Sequence, residues 1–444
     1  MITAEENEQL SRVGKGTLMG DFFRQFWVPV CLSSELKADG DPVRLMILGE
    51  KLVAFRDTEG RVGVFDHRCP HRCASLFFGR NELGGIRCAY HGWKFDVTGK
   101  CLDQPNLEDK TKYPAGTPAI AYRVKESGGI VFAYMGERQD NPPELPELEA
   151  IMSDIDERNI VLTHRDCNYM QALEGDIDTS HLGFLHVGGV DTEKLDLSDP
   201  EVFTVKNKAP KINVTVTSFG TMYSAQRDAY EGEEHHRYAC YLFPFWVTYP
   251  GGGNLERSRT ANAWVPIDDY STMIFNIDLS RATGGGKKNL RYKDGTLVQG
   301  LARPMEYLPN TTDWKGRWRP TKDRSNDYGI DREWQRSGDS YTGIVGVPLQ
   351  DQMIQESMGH IVDRELEHLA ASDRMVILTR RVMLEAAMEW RDHKKLPDFV
   401  DHPEYARAAR GGDIVVPKGT DWLDGYEETM ARAKGYKPKL SAAE

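Results

Sequence analysis

The pattern of apolar and polar positions divides the chain into two parts. Between Val43 and Met135, short runs rich in β-branched and aromatic residues alternate with turn signals such as Glu59-Gly60 and Thr98-Gly99. Runs of this kind are typical of antiparallel strands joined by tight turns, so we expect a small all-β domain here. Ahead of it, Leu18 to Trp27 has apolar residues at helical spacing and predicts an N-terminal helix. The expected strands are Arg44 to Ile47, Leu52 to Arg56, Val62 to Asp66 and Gly129 to Tyr134.

The second part of the chain mixes strand-like and helical patterns. Prolines between Asp140 and Pro146 can continue neither a strand nor a helix, so we place a domain boundary near residue 150, giving domains 1–150 and 151–444. Residues 281–340, rich in Gly, Pro, Trp and charge, predict a long loop region. From Leu349 to Trp390, apolar spacing predicts two helices with Ser372-Asp373 as the cap between them. The expected strands are Ile212 to Thr217, Tyr238 to Tyr249, Ala261 to Val265 and Met273 to Leu279.

Composition narrows the class of protein. A chain of 444 residues is too long for one ordinary core, and 40% apolar content is enough to build two. Lys plus Arg is 56 and Asp plus Glu is 68, so the net charge of −12 disfavours nucleic acid and anionic membranes as partners. The polar N-terminus and the lack of a long apolar stretch predict a cytoplasmic protein. Seven scattered cysteines do not resemble a disulfide framework, which leaves thiols available to bind metal.

The first candidate metal motif is Cys69-Pro70-His71 followed, after sixteen intervening residues, by Cys88-Ala89-Tyr90-His91. Two thiolates and two imidazoles are the ligands of a Rieske 2Fe-2S cluster, in which two histidines hold one of the irons. Zinc also takes two cysteines and two histidines. Zinc fingers usually pair cysteine with cysteine, however, whereas each loop here supplies one of each, and this order favours the cluster.

Three neighbours of the first motif have alternative interpretations. Cys73 and Cys101 lie close enough in sequence to compete as ligands, but they fall outside the paired pattern, and we interpret both as buried small apolar residues. Trp93 is expected either to shield the cluster or to serve as an ordinary core tryptophan.

The second candidate metal motif contains Asp178, His181 and His186. Two histidines and one carboxylate on one face of an iron leave positions open for substrate and O₂, as in non-haem Fe(II) oxygenases. His181 and His186 are the predicted histidine ligands, and Asp351, in Pro348-Leu349-Gln350-Asp351-Gln352, is the best-placed acid. Two histidines five apart are weak by themselves. The first motif strengthens the hypothesis, as does the spacing of three polar residues along one helical face, namely Gln171, Glu174 and Asp178.

Both motifs resemble those of the Rieske non-haem iron ring-hydroxylating oxygenases, and the wider sequence is similar to the oxygenase (alpha) components of the phthalate dioxygenase-like subgroup. The similarity runs over nearly the whole chain, including Glu5 to Gly14, Cys69 to Arg72 and Gln350 to Arg364. The resemblance implies an all-β Rieske domain followed by a helix-grip catalytic domain, in which a curved antiparallel sheet wraps around a C-terminal helix that carries Asp351. It implies cluster ligands at Cys69, His71, Cys88 and His91, and Fe(II) ligands at His181, His186 and Asp351.

The resemblance also implies an assembly and a partner. Asp178 matches the acid that joins the two metal centres across a subunit interface, so that it would bridge His91 of one chain and His181 of the next. A trimer, or stacked trimers, is therefore expected. Electrons are expected from a separate NAD(P)H-dependent reductase, because no Gly-rich dinucleotide motif follows a predicted strand.

The substrate is expected to be an aromatic carboxylate, the main class of the subgroup, which calls for a cation in the pocket. Arg227 and Arg237 are the candidates in the predicted sheet. The segment Gly220 to Tyr223 lacks the arginine expected there for phthalate itself. Ring dihydroxylation is the main hypothesis, with O-demethylation of a methoxylated aromatic acid as the alternative. A Rieske electron carrier is the rival from another class, although such a carrier needs only about 100 to 150 residues.

Overall fold

The computed structural model of the chain describes residues 2–108, 117–152, 160–196, 202–251, 253–279, 290–296, 298 and 305–433. The helices are α1 (Ala4–Ser11), α2 (Leu18–Phe23), α3 (Glu149–Met152), α4 (Tyr169–Ile177), α5 (Leu182–Leu185), α6 (Val202–Lys206), α7 (Arg332–Ser337), α8 (Val347–Ser357), α9 (Arg374–His393) and α10 (Trp422–Arg432). The first ten strands are β1 (Trp27–Leu32), β2 (Val43–Ile47), β3 (Glu50–Arg56), β4 (Val62–Asp66), β5 (Arg80–Glu82), β6 (Gly85–Arg87), β7 (Lys94–Phe95), β8 (Cys101–Asp103), β9 (Ala121–Ser127) and β10 (Ile130–Tyr134). The remaining strands are β11 (Ile160–Arg165), β12 (Lys211–Thr217), β13 (Gly220–Asp228), β14 (Glu233–Leu242), β15 (Trp246–Thr248), β16 (Thr260–Asp268), β17 (Ser271–Asp278) and β18 (Gly412–Pro417).

The N-terminal part contains two antiparallel sheets, as the short alternating runs predict. The larger has the order β1-β10-β9-β4-β3-β2, and the smaller has the order β5-β6-β7-β8. Apolar side chains from both sheets, including Phe55, Phe65 and Phe95, form one buried cluster. Cys69 and Cys88 belong to this cluster, so the two loops that carry the first motif are anchored in the core.

The C-terminal part is built on an antiparallel sheet of eight strands. Its order is β11-β17-β16-β15-β14-β13-β12, and β18 pairs with the first half of β14. The expected strand from Tyr238 to Tyr249 is interrupted: β14 ends at Leu242, and Pro244, which has no N–H to donate, precedes the short strand β15. Pairing places Tyr223, Arg227 and Arg237 on one face of this sheet, the face that Thr221 turns toward α9. We call it the inner face.

Two helices pack against this sheet: α9 contacts β12 and β13, and α4 contacts the strands from β14 to β17. Asp351 lies instead on α8, which packs on α4. The expectation that the helix held by the sheet carries Asp351 is therefore wrong. The helices α8 and α9 are separated by residues 358–373, where α8 has ended and only short 3-10 turns form.

The N-terminal helices pack against the C-terminal part of the chain. Phe22 of α2 meets Phe243 edge to face, and Phe23 meets Tyr169 in the same way. These contacts attach α2 to the C-terminal part, and α1 contacts α9 and α4 there. The division at residue 150 stays a prediction. Of the loop predicted at residues 281–340, residues 281–289, 297 and 299–304 lie outside the described residues, while 305–331 is irregular apart from 3-10 turns. Among the described helices, none is long and apolar enough to cross a membrane.

Candidate active site

Two loops of matching geometry carry the first motif. In one, the N–H of Cys69 donates to Ala74 O (2.8 Å) and the N–H of Cys73 donates to Cys69 O (2.9 Å). In the other, the N–H of Cys88 donates to Trp93 O (2.8 Å) and the N–H of Gly92 donates to Cys88 O (3.0 Å). Each loop thus repeats the same two hydrogen bonds, five and four residues apart, with its cysteine in the equivalent position; the histidine is two residues after the cysteine in the first loop and three in the second.

In the two loops, the two cysteine side chains lie together and the two histidine rings lie together. The thiols of Cys69 and Cys88 face each other in the core, and burial raises the pKa of Cys69 to about 12. The rings of His71 and His91 lie together at the surface end, with centroids 4.4 Å apart. No three of these four ligands bring their atoms within 4.8 Å of one another. A single tetrahedral zinc would hold its ligand atoms within about 4 Å of one another, so the arrangement fits a cluster of two irons, one held by cysteines and one by histidines.

Two cysteines near this site differ from the expectation that both are buried. Cys73 is exposed rather than buried, and Cys101 is only half-buried. Cys73 occupies the loop position that Gly92 fills in the second loop, and both adopt left-handed backbone with φ of 58° and 77°. Trp93 stacks on the ring of His71 at 4.7 Å and donates its indole N–H to Asn106 (2.8 Å), so it covers the histidine side of the site.

The second motif converges on a compact triad. His181 Nε2 and His186 Nε2 lie 3.2 Å apart, and Oδ1 of Asp351 lies 3.6 Å from the first and 3.2 Å from the second. These atoms are the only three-ligand group of His, Cys, Asp and Glu that gathers this closely among the described residues. The helix α5 is a single turn between the two histidines, so both rings reach the same side despite their spacing. Two imidazoles and one carboxylate at these separations can hold one Fe(II) and leave its other face open.

His186 is oriented by Gln350, a residue that the sequence motifs did not single out. The Nδ1–H of His186 donates to Gln350 Oε1 (2.7 Å), while Gln350 Nε2 donates to Ile344 O (2.7 Å) and Thr342 Oγ1 (3.2 Å). These bonds fix which end of the amide faces the ring. The Nδ1 of His186 therefore carries the proton and Nε2 is left to bind metal. In the sequence, the signal for the role of Gln350 was its position directly before Asp351.

Asp178 approaches His181 from the other side. Its Oδ2 lies 3.5 Å from His181 Nδ1, and its Oδ1 accepts a hydrogen bond from the N–H of Ser180 (2.7 Å). Burial would raise the pKa of Asp178, but the hydrogen bond and charge of His181 outweigh it and lower the pKa. Asp178 is thus an anionic acceptor at the rear of a predicted iron ligand.

The two candidate arginines have different hydrogen-bond partners. Arg237 donates from Nη1 to both oxygens of Asp413 (3.1 and 3.0 Å) and from Nη2 to Pro250 O (3.0 Å). Arg227 donates from Nε to Asn207 O (2.8 Å), but its buried Nη1 has no hydrogen-bond partner, and no ion pair joins Arg227 to a carboxylate within the described ranges. Burial, reinforced by the nearby charge of Arg237, lowers the pKa of Arg227 to about 10.

A second acid on α4, Asp176, also faces the inner side of the sheet, and sequence reasoning missed it. Its Oδ2 accepts hydrogen bonds from Asn262 Nδ2 and Trp264 Nε1, both at 2.6 Å. Burial raises the pKa of Asp176 to about 6, and the charge of Asp351 acts in the same direction. The alternation of acids at Glu174, Asp176 and Asp178 was the signal available in the sequence.

Comparisons with known proteins cover almost the whole chain. A family model described as Rieske [2Fe-2S] domain matches residues 26–114, and one described as LigXa C-terminal domain like matches residues 133–441. The 3-chlorobenzoate-3,4-dioxygenase oxygenase subunit of Comamonas testosteroni is 44% identical over 433 residues, which are 97% of this chain and 99% of that protein. The phthalate 4,5-dioxygenase oxygenase subunit of Pseudomonas putida is 35% identical over 443 residues, covering 96% and 94%. Among solved structures, dicamba monooxygenase bound to dicamba has the same fold, with a TM-score of 0.54 and 17% identity over 83% of this chain and 98% of that one.

Proposed function

The chain belongs to the Rieske non-haem iron oxygenases, as an oxygenase component, and on that premise we propose that it hydroxylates an aromatic carboxylate held by Arg227. O₂ is the co-substrate, and electrons come from a separate NAD(P)H-dependent reductase. Dihydroxylation of the ring is the main proposal, since both similar oxygenase subunits are named dioxygenases. O-demethylation of a methoxylated acid is the alternative, because attack on a methoxyl C–H needs the same iron site.

The two metal centres are assigned to the residues already described. Cys69, His71, Cys88 and His91 would hold the 2Fe-2S cluster. His181, His186 and Asp351 would hold the mononuclear Fe(II). When bound, the cluster relays electrons and the mononuclear iron activates O₂. The observation that carries this assignment is the convergence of three donor atoms within 3.6 Å at the second motif.

Asp178 is proposed to link the two centres between chains of a homotrimer. His91 is half-exposed at the end of its domain, and the side chain of Asp178 is 27% exposed. No hydrogen bond or ion pair joins the two cluster loops to the iron site within the parts of the chain that the structure describes. A carboxylate shared by His181 and by His91 of a neighbouring chain would fix both rings and shorten the electron path. The assignment of the protein to the cytoplasm likewise stays a prediction.

Arg227 is preferred over Arg237 as the substrate anchor. Arg237 already has a carboxylate partner in Asp413, whereas Arg227 has a buried N–H with none. A buried cation without a partner is costly, and a substrate carboxylate would supply both the charge and the hydrogen bonds. Tyr223 lies on the same face as both arginines, and the charges of Arg237, Asp178 and Arg227 all act on its hydroxyl, so the choice between the arginines depends on their hydrogen-bond partners.

Metal analysis tests the oxygenase proposal against a simple electron carrier. The wild type should contain three irons per chain, two in the cluster and one mononuclear. Asp351→Ala and His181→Ala should leave two irons and the visible spectrum of the cluster, and should abolish oxygen consumption. Turnover by Asp351→Ala would refute the assignment of the third ligand, and two irons in the wild type would favour the carrier.

Substrate binding tests the anchor. Arg227→Met should weaken binding of benzoate to the iron-loaded protein by about 10- to 100-fold, the worth of hydrogen bonds between charged groups. Binding of neutral benzamide should change little, and Arg257→Met, at an exposed arginine, is the matched control. Equal benzoate affinity in Arg227→Met and wild type would contradict the role. Detection of a cis-diol or of formaldehyde then separates dihydroxylation from O-demethylation.

A further inference from the structure

We propose that Asp176 forms a second polar contact for the substrate, one that accepts a hydrogen bond from a hydroxyl or amino group on the aromatic ring. This inference rests on the proposed function, because it deepens the class of substrate from an aromatic acid to an aromatic acid with a hydrogen-bond donor. It concerns a residue that is neither a predicted metal ligand nor the predicted bridge.

The two oxygens of Asp176 are in different situations. Oδ2 accepts from Asn262 Nδ2 and Trp264 Nε1, each at 2.6 Å. No hydrogen bond reaches Oδ1 from any residue that the structure describes, and this oxygen is not sealed from solvent. Asp176 is half-exposed even though protein surrounds it closely enough to raise its pKa. Oδ1 is therefore open to a small molecule although most of the residue is enclosed by protein.

Asp176 lies close to the predicted iron ligands. Asp176 is close enough to Asp351 for the charge of that ligand to raise its pKa, and close enough to His181 for its own charge to act on that ring. Asn262 and Trp264 belong to the inner face of β16, across from the helix α4. A ligand between α4 and this face therefore meets Oδ1 beside the predicted iron ligands.

The orientation of Asp176 is held by a chain of fixed hydrogen bonds. Asn276 Nδ2 donates to Asn262 Oδ1 and to the hydroxyl of Tyr249, both at 2.7 Å. This leaves Asn262 Nδ2 as the donor toward Asp176, and the indole of Trp264 can only donate. Two donors therefore converge on Oδ2, and the other oxygen must point away from the wall. The contact is preorganised for a donor on the ligand.

The charge around Asp176 also favours a ligand donor over an internal partner. The charge of Arg165 lowers the pKa of Asp176, but Arg165 makes no ion pair with it in the described part of the chain. Arg165 is engaged by Gln355 Oε1 and Pro348 O, and its guanidinium lies 4.9 Å from the ring of Trp264. Oδ1 of Asp176 thus has no donor in the described part of the chain, and a ligand that displaces water from it without donating a hydrogen bond would leave a carboxylate oxygen unpaired at a cost.

The test compares ligands that differ in one group. Binding to anaerobic, iron-loaded protein would be measured by calorimetry at about pH 8 for benzoate and its 3- and 4-substituted hydroxy, methyl and methoxy forms. A hydroxyl and a methyl group are similar in size, so the ratio of the affinities of the hydroxy and methyl forms isolates the contribution of the hydrogen bond. We expect the better hydroxybenzoate isomer to bind at least about tenfold tighter than its methyl counterpart. If the hydroxy and methyl forms bound with equal affinity at both the 3- and the 4-position, the proposal would be overturned.

The variant Asp176→Asn gives a second, opposite prediction. Its amide oxygen must take the place of Oδ2, because Asn262 and Trp264 both donate there, so the amide NH₂ would face the ligand. The affinity of methoxybenzoate relative to methylbenzoate should therefore rise, because a methoxy oxygen can accept from the NH₂ and a methyl group cannot. Asp191→Asn, at the exposed acid that caps the 3-10 helix Thr192–Lys194, should leave these affinity ratios unchanged. An unchanged methoxy-to-methyl ratio in a folded, iron-loaded Asp176→Asn protein would also overturn the proposal.

The outcomes separate this inference from the proposed function. Arg227→Met should weaken all the benzoates by a similar factor and leave their ratios intact. If no benzoate binds the wild type, the proposed function fails together with this inference. If the benzoates bind through Arg227 and their ratios do not depend on residue 176, the proposed function survives and the inference alone fails.

Discussion

Replacing Gln350 with leucine tests whether the iron site depends on a residue that touches no metal. Gln350 is 3% exposed and lies on α8, directly before the predicted ligand Asp351. Its oxygen accepts the Nδ1–H of His186 at 2.7 Å, and its nitrogen is held by Ile344 O and Thr342 Oγ1. Leucine has a similar volume but offers no acceptor, so the ring of His186 loses the bond that sets its orientation.

The magnitude follows from the burial of the atoms involved. The side chain of His186 is 4% exposed, so its Nδ1–H would stay unpaired away from water, at a cost of about 1 to 3 kcal/mol. Loss of a hydrogen bond of this kind to a metal-binding histidine typically lowers metal affinity by about 10- to 100-fold. We therefore expect a Gln350→Leu protein that folds and carries its cluster but binds Fe(II) weakly.

The assay is an anaerobic titration of metal-depleted protein with Fe(II) against a competing chelator. The visible absorption of the cluster serves as an internal measure of folded protein. Gln352→Leu is the matched control, because Gln352 is buried on the same helix but donates to Glu356 (2.9 Å) and not to an iron ligand. If Gln350→Leu binds Fe(II) as tightly as Gln352→Leu, the hydrogen bond does not orient His186 and the reasoning is refuted.

Three further changes have distinct expected results. Asp178→Asn should keep all irons but slow oxidation of the reduced cluster in a single turnover; a normal rate would exclude the bridging role. Glu174→Gln should lower the free energy of unfolding by about 3 kcal/mol, because Glu174 pairs with Arg364 (3.1 Å) and Arg380 (2.6 Å) in the core. Burial alone would raise the pKa of Glu174, but the two arginines lower it, so this difference should be full at neutral pH and vanish as acid protonates Glu174; a difference independent of pH in chemical denaturation would contradict it. Cys73→Ser should retain the 2Fe-2S spectrum, because the thiol of Cys73 is exposed, and loss of the spectrum would make it a ligand.

The cluster motif was predictable from sequence because its ligands are local. Cys69 to His91 lies within one sheet and its loops, and the order of cysteine and histidine carries the chemistry. What the sequence could not provide was the backbone conformation of single residues. Cys73 looked like a small core residue, but its left-handed φ of 58° places it at the loop surface, where Gly92 lies in the other loop.

The iron site was predictable only in part because its third ligand is distant. Asp351 was one acid among many until the resemblance to a family selected it. The surrounding residues depend on the register of the large sheet, and the sequence predicted one strand from Tyr238 to Tyr249 where there are two. Because the break at Pro244 was not predicted, the residues that share the inner face could not be assigned from Arg237 on to Asn262. The side chains that bind Asp176 were therefore not predictable from the sequence.

Three acids in α4 and at its C-cap have different partners. Residues two apart on a helix point about 200° away from each other, whereas residues four apart lie within about 40°. Glu174 accordingly meets the arginines of α9 and of the segment before it, and Asp176 meets the opposite wall at Asn262. Asp178, at the C-cap, has left the helix and reaches His181. Because Glu174 fixes α4 from behind, a change there should displace Asp176 and Asp178 together, whereas a change at either of those should leave the other in place.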